Sequence, residues 1–423
     1  MERVLDTSFT DWAMYGMKQL RLKGARDSAW RDATWAQQGL EVVMDTVLAA
    51  GIKTVNFRLH SAGPYWPTQI KDAGAHTAPT GRGLVPDFKT WNLPKAAVQA
   101  AHKKGIRLIA WFDLTEGHAG IPTKWALNHP QYSIVNRQGI QMDGPLRAVN
   151  QAGEKLDISR EDLFYDRLLA EGYIKGEDGA RQDGVSIDPY PSLAYPQVIE
   201  YRLELIKELL SFGVDGLFLV ANQSVGYEEP SIKRFRDSYG VDPRDISEED
   251  TRWLGHRRSY VTELIRQVNG VVRAEERSSG RKLQFIFEGQ SDPTSRDSIG
   301  SPLHLPPEPG WPLIPRWASM PSYVDIDTIA REGLVDALSF FTFKDIDTLD
   351  PEIRKLVNIT MRFRFMGERD FTEQNYRLRL SEAEKRGLTF LSLNEPRWPL
   401  GNCRWMYPGQ PGPFYDLVQQ YSS

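Results

Sequence analysis

The sequence predicts a single α/β domain, a (β/α)8 TIM barrel with long loop insertions, and three observations carry that expectation. One phrase recurs along the 423 residues: an amphipathic helix, a glycine, then a short β-branched or aromatic run. The spacing is regular: Gly51 to Gly105 spans 54 residues, Gly280 to Gly333 spans 53 and Gly333 to Gly387 spans 54. The runs are apolar on both alternating faces, as a parallel strand covered by helices must be.

The elements follow in chain order. A first strand is expected near Trp12–Met17. Leu40, Val43, Met44, Val47 and Leu48 form the i, i+3, i+4, i+7, i+8 stripe of a core-facing helix. Gly51 ends it in the left-handed C′ position and a strand follows at 53–58. Asn92 and Pro94 start the next helix, Lys103-Lys104-Gly105 end it, and 107–112 is a strand. Gly105 to Gly213 spans 108 residues, about two repeats. Residues 114–190 are rich in Gly, Pro, Asp and Asn, so this gap reads as an insertion with no barrel strand. A strand at 216–220 is followed by a helix striped by Tyr260, Val261, Leu264, Ile265, Val268, Val271 and Val272. After Gly280 comes a strand at 283–287, then a long loop at 290–322. Strands at 337–342, Leu356–Phe363 and 388–393 bring the number to eight. Alternating strands and helices imply parallel pairing, and eight of them close a barrel. A doubly wound open sheet is the competing topology.

Composition limits the function classes. The chain is 40% hydrophobic and 26% charged, with a net charge of −4. Basic residues are scattered, so there is no footprint for nucleic acid. The longest apolar runs, such as Leu217–Ala221, are too short to span a bilayer. A single cysteine, Cys403, excludes an intramolecular disulfide framework and a Cys-based zinc site. The seven histidines show no HxH or HExxH spacing, and no Gly-rich phosphate loop follows a strand, so neither metal nor cofactor is expected. Met1-Glu2-Arg3 does not begin a signal peptide, yet a chain trimmed of its signal would look the same; the compartment stays open, cytoplasmic or exported. Oligomeric state is not legible.

In such barrels the chemistry sits at the C-terminal ends of the strands. Those ends carry Arg58 and His60, then Trp111 and Asp113, then Asn222, then Glu288, then Asp345, and finally Asn394, Glu395, Arg397 and Trp398. Carboxylates converge on one rim from at least four strands. Paired carboxylates suit glycosidic cleavage, one protonating the leaving oxygen and the other acting as nucleophile or base. Glu288 follows the apolar Phe285-Ile286-Phe287 and is expected to enter a desolvated pocket as general acid/base. Asp113 and Glu395 are candidates for its partner and Asp345 is the reserve. Arg58, His60, Asn222, Asn394 and Arg397 are candidates to hold sugar hydroxyls. Trp311 and Trp317 in the proline-rich loop, together with Trp111 and Trp398, are candidate sugar platforms, and Trp66 and Trp405 are further ones. Each has a plainer reading: a strand-end carboxylate can cap a helix, and a tryptophan is more often core. Asp215 and Asp336, one residue before their strands, are expected to cap loops at the opposite end.

Several pieces resemble glycosyl-hydrolase-like family 10: Gly51–Trp66, Gly81-Arg82-Gly83, Asp87, Ala100–Gly105, Ala110-Trp111-Phe112, His129-Pro130, Asp188-Pro189, Val214-Asp215-Gly216 and Phe235–Pro243. They run in order over roughly residues 34–345. The resemblance implies a barrel acting on an oligosaccharide or polysaccharide. It also implies an aspartate at the end of strand four, where this chain has Val220. A valine can be neither nucleophile, acid nor base. The expected function is therefore a glycoside hydrolase or related glycan-active enzyme. The alternatives are a catalytically silent carbohydrate-binding barrel and a lyase or isomerase on a sugar-derived substrate.

Overall fold

The computed structural model describes residues 1–8, 33–60, 63–75, 88–114, 117–118, 121–135, 137, 139, 174–175, 180–181, 191–220, 225–247, 250–288, 324–340, 343–364 and 373–394. Eight strands make one sheet: β1 (Glu2–Ser8), β2 (Thr54–His60), β3 (Arg107–Asp113), β4 (Gly216–Val220), β5 (Gln284–Glu288), β6 (Ala337–Phe340), β7 (Asn358–Arg364) and β8 (Phe390–Asn394). Each pairs in parallel with its neighbours, and β8 returns to β1 through Glu2↔Phe390 to Leu5↔Leu393, so the sheet is closed. Seven strands fall where the sequence puts them, within a few residues at each end. The first does not. Glu2–Ser8 fills its place, and Trp12–Met17 lies outside the described residues. The error has a physical cause: Val4-Leu5-Asp6-Thr7 carries a charge mid-run and no glycine-ended helix before it, so the repeated phrase does not announce it.

The helices are α1 (Ala33–Ala49), α2 (Leu93–Lys103), α3 (Lys124–Asn128), α4 (Pro196–Ser211), α5 (Glu229–Tyr239), α6 (Thr251–Ser279), α7 (Ile326–Arg331), α8 (Phe343–Asp347), α9 (Pro351–Leu356) and α10 (Glu373–Lys385). Asn92 caps α2 as expected, its side-chain oxygen accepting from Lys95 N at 2.9 Å. The repeated glycines do what the phrase requires: Gly51, Gly105, Gly213, Gly280, Gly333 and Gly387 all have φ between 62° and 94°. There an L side chain would crowd its own carbonyl.

Strand alternation divides the core in two. Val55, Phe57, Leu108, Ala110, Phe112, Leu217, Leu219, Phe285, Phe287, Leu338 and Phe340 face the helices in one large apolar layer. The opposite parity, Val4, Ile109, Trp111, Phe218, Val220, Ile286 and Ala337, packs inside the barrel. Asp215 and Asp336 work at the strand-entry end as expected. Asp215 Oδ2 accepts the Leu108 amide at 2.7 Å, and Asp336 Oδ2 accepts the Phe285 amide at 2.7 Å and meets Arg273 at 2.8 Å. One aspartate before a strand thus satisfies an amide of the preceding strand. Within the stretch expected as an insertion, the described residues contribute no barrel strand: besides α3 they form two short antiparallel ladders, Gly117–His118 with Ile121–Pro122 and Ile174–Lys175 with Ala180–Arg181.

Candidate functional site

The inward parity carries apolar residues for most of its length and then changes character. Asp6 of β1, Asn56 of β2, Trp111 of β3, Glu288 of β5, Ser339 of β6 and Arg362 of β7 are all buried there. The register sets neighbours: Asp6 pairs with Asn56, Arg58 with Trp111, and Glu288 with Ser339. Arg362 lies between two carboxylates. Its Nε donates to Asp6 Oδ2 at 2.6 Å, and its Nη1 donates to Glu288 Oε2. Asn56 Nδ2 donates to the other Asp6 oxygen at 2.7 Å. The Arg362 guanidinium also lies 4.5 Å from the Trp111 ring centre and 4.9 Å from that of Phe218, and the Arg58 guanidinium lies 4.0 Å from the same Trp111 ring.

The energetics of this trio are informative. Asp6, Arg362 and Glu288 are 0%, 2% and 8% exposed. Burial works against the charge of Arg362, but Glu288 and Asp6 outweigh it and raise its pKa above the ordinary value. Removing ions from water costs several kcal/mol each, and well-packed apolar replacements of buried ion pairs are often neutral or stabilising by about 1–4 kcal/mol. Barrel interiors are usually filled by branched apolar side chains. Fold stability alone therefore gives no reason for a three-ion cluster here. Asn56 Oδ1, Ser339 Oγ and Trp111 Nε1 are buried in the same interior with no hydrogen-bond partner among the described residues. Buried polar groups without partners are uncommon in finished structural cores.

The other expected site residues fare differently. Asp113 ends β3 half-buried, in register with Val220 of β4, which is buried on the inward side. Asp345 is buried in α8, just after β6. Glu288 is buried, in keeping with the desolvated setting expected from Phe285-Ile286-Phe287, but its immediate neighbour is a cation. Those residues lie on both parities, and Glu288 shares the inward side with Arg362. Trp111 is not an open platform either, since two guanidinia lie against its ring and it is 4% exposed. His60 is buried and stacks on Phe112 at 4.0 Å, with Nδ1 donating to the Asp113 carbonyl at 2.7 Å. The β2–β3 register shifts between Arg58 and His60, and this irregularity takes His60 toward the helix-facing layer. Trp66 is fully buried, its Nε1 donating to Glu208 at 2.7 Å, so it is core and not a sugar platform. Asn394 closes β8, opposite Arg364. Asn222, Trp311, Trp317, Glu395, Arg397, Trp398 and Trp405 lie outside the described residues. Among the described residues no group of three His, Cys, Asp or Glu side chains could hold a metal ion, and no helix is long and apolar enough to cross a membrane.

Asp6, Asn56 and Arg362 are absent from the sequence expectation. The available signal was a charge inside an otherwise strand-like run, as in Thr360-Met361-Arg362-Phe363. Glu228, which precedes α5, is a further buried acid absent from the sequence expectation. Its carboxylate accepts the Gly226 amide at 2.9 and 3.0 Å and the Val135 amide at 3.1 Å, tying the segment after β4 to the segment that follows β3 and α3. Burial pushes its pKa up to about 7, against the lowering effect of those backbone donors. The folded state therefore holds a proton that the unfolded chain, with an ordinary value of 4.5, has released. The protonated carboxyl favours the fold below pH 4.5, and that advantage is lost as pH rises to 7, by ~3 kcal/mol in total. Urea midpoints measured from pH 4.5 to 7.5 are expected to fall in the wild type, and this component of the slope should be missing in Glu228→Gln. Parallel curves for the two proteins would remove Glu228 as the cause.

No protein-family model matches the chain, and no curated protein matches it in sequence. Solved structures do. The glycoside hydrolase domain of PgaB (BpsB) from Bordetella bronchiseptica is similar at a TM-score of 0.51 and 10% identity, over 94% of this chain and 94% of that one. Alpha-L-fucosidase isoenzyme 2 from Paenibacillus thiaminolyticus is similar at a TM-score of 0.50 and 11% identity, over 100% of this chain and 49% of that one. The chain thus spans about half the length of the fucosidase. At such identities the likeness is one of fold, and it sets this parallel barrel sheet among folds that glycoside hydrolases use.

Proposed function

We propose that the chain is a glycoside hydrolase built on a complete (β/α)8 barrel, 1–423 as one domain, related to glycosyl-hydrolase-like family 10 and acting on an oligosaccharide or polysaccharide. The observation that carries this reading is the buried Glu288–Arg362–Asp6 cluster at an interior position where apolar packing would suffice. Glu288 is one member of the working carboxylate pair, with Asp113 or Glu395 as the other and Asp345 in reserve. Arg58, Asn222, Asn394 and Arg397 would hold sugar hydroxyls, and Trp311, Trp317 and Trp398 would stack on the sugar rings. The folds shared with a fucosidase and a PgaB domain support the reaction class and leave the sugar open.

Val220 favours a second reading, a barrel that binds glycans without cutting them. It is buried at the inward end of β4 beside Asp113, where the resemblance implies an acid. Incubation with a panel of nitrophenyl glycosides and polysaccharides separates the two. Release of new reducing ends or nitrophenol is expected; saturable binding with no release from any member of the panel would replace the hydrolase with the binder.

A further inference from the structure

The interior trio raises a question that the assignment of a rim carboxylate leaves open: which protonation state of Glu288 does the fold prepare? Resting on the hydrolase reading, we infer that Asp6 and Arg362 are positioning residues that hold Glu288 as an oriented, ionised carboxylate, so that another rim carboxyl supplies the proton to the leaving oxygen.

Three observations converge on this. First, the donor set is directional. Arg362 spends separate edges of its guanidinium on the two carboxylates, Nε on Asp6 and Nη1 on Glu288, so fixing one carboxylate fixes the approach to the other. Second, Asp6 is itself fixed, since Asn56 Nδ2 holds its second oxygen at 2.7 Å and the backbones of Asp6 and Asn56 are in register. Third, the guanidinium rests against the rings of Trp111 and Phe218, which confines its plane and keeps water away. A guanidinium in direct contact with a carboxylate favours the charged form. A general acid must begin the reaction protonated, and this environment opposes that at Glu288.

The atoms balance in the resulting step. The glycosidic C–O bond breaks with its electron pair on the leaving oxygen, which takes the proton of the second carboxyl, with Asp113 the described candidate. The anomeric carbon gains a new bond to oxygen, either from Glu288 itself or from a water whose proton Glu288 accepts.

The test uses the intact chain labelled with ¹³C at glutamate side-chain carboxyls, the Glu288 resonance being assigned by its loss in Glu288→Gln. In the wild type that resonance is expected to stay at its ionised position down to pH 5. In Arg362→Gln it should move to the protonated position at least one pH unit higher, and the acid limb of the pH–rate profile should move with it. Arg362→Lys keeps the charge and loses the fork. Its acid limb should stay near that of the wild type, while kcat falls by on the order of 10²-fold and KM holds, as expected for a misplaced reacting group. Asp6→Asn should behave like Arg362→Lys, and these two carry the test if Arg362→Gln does not fold. A protonated Glu288 in the wild type at pH 6 overturns the inference. So do Arg362→Lys and Asp6→Asn variants that lower the melting temperature yet keep wild-type kcat and pH profile. If the wild type turns over no glycan, the hydrolase reading fails, and the resonance alone still decides whether the trio holds Glu288 charged.

Discussion

Glu288→Gln is expected to lower turnover of a natural glycan by on the order of 10²–10⁴-fold, the usual contribution of a positioned acid or base, with product binding nearly unchanged. The amide keeps the shape of the side chain and an oxygen that can still accept from Arg362. The variant also leaves Asp6 and Arg362 as a balanced pair, so the melting temperature should hold or rise while activity is lost. The leaving group separates two roles. If Glu288 works ionised, nitrophenyl glycosides and natural substrates should suffer comparably. If activated substrates are largely spared, Glu288 is the proton donor that its sequence context suggests, and the ion pair with Arg362 is broken before catalysis. Near-normal turnover on all substrates would make Glu288 structural and pass its role to Asp113 or Glu395.

Arg362→Met has the largest expected effect on stability. It keeps much of the side-chain volume against Trp111 and Phe218 and removes the only positive member of the trio. Asp6 and Glu288 then remain buried without the guanidinium they share, and breaking a buried pair from one side costs about 3–5 kcal/mol. Combining Arg362→Met with Asp6→Asn and Glu288→Gln removes the stranded charges as well. This triple variant should recover most of the loss, because the cost lies in uncompensated ions and not in the missing contact. Chemical denaturation of the wild type, Arg362→Met and the triple variant measures it. A triple variant as unstable as Arg362→Met would mean that the polar network itself holds the barrel together.

The outer half of this architecture is legible in the sequence because it is built by repetition. Gly51, Gly105, Gly213, Gly280, Gly333 and Gly387 each follow a helix and precede a strand, and the striped helices need no tertiary information to be recognised. Asp215 and Asp336 are equally readable, since their role depends on a position one residue before a strand. The interior is harder. Whether a strand residue points inward depends on register, and register is set by partners far away in sequence. Glu288 is visible as a strand-end acid, but its environment is decided by Arg362, in the middle of another strand. His60 fails for the same reason: one irregularity in the β2–β3 pairing changes the face it occupies. Asp6 is lost twice, first because no helix and glycine announce its strand, and then because a lone acid in a short run looks like surface.

The bond from Asp6 to Arg362 joins residues 356 positions apart. That separation puts the cluster on a clock. As the chain leaves the ribosome, β1 emerges before the other strands of the sheet, yet both of its neighbours in the trio follow much later, and β8, which closes the sheet against it, is the last of the eight. Until then Asp6 lacks the guanidinium of Arg362, and the edge of β1 that β8 will cover has no strand to pair with. Contacts this distant form slowly and are won only after the intervening chain has been ordered. The candidate site is therefore among the last features of the molecule to exist. A nascent or truncated chain without β7 and β8 lacks both the strands that close the sheet and the guanidinium that meets Glu288.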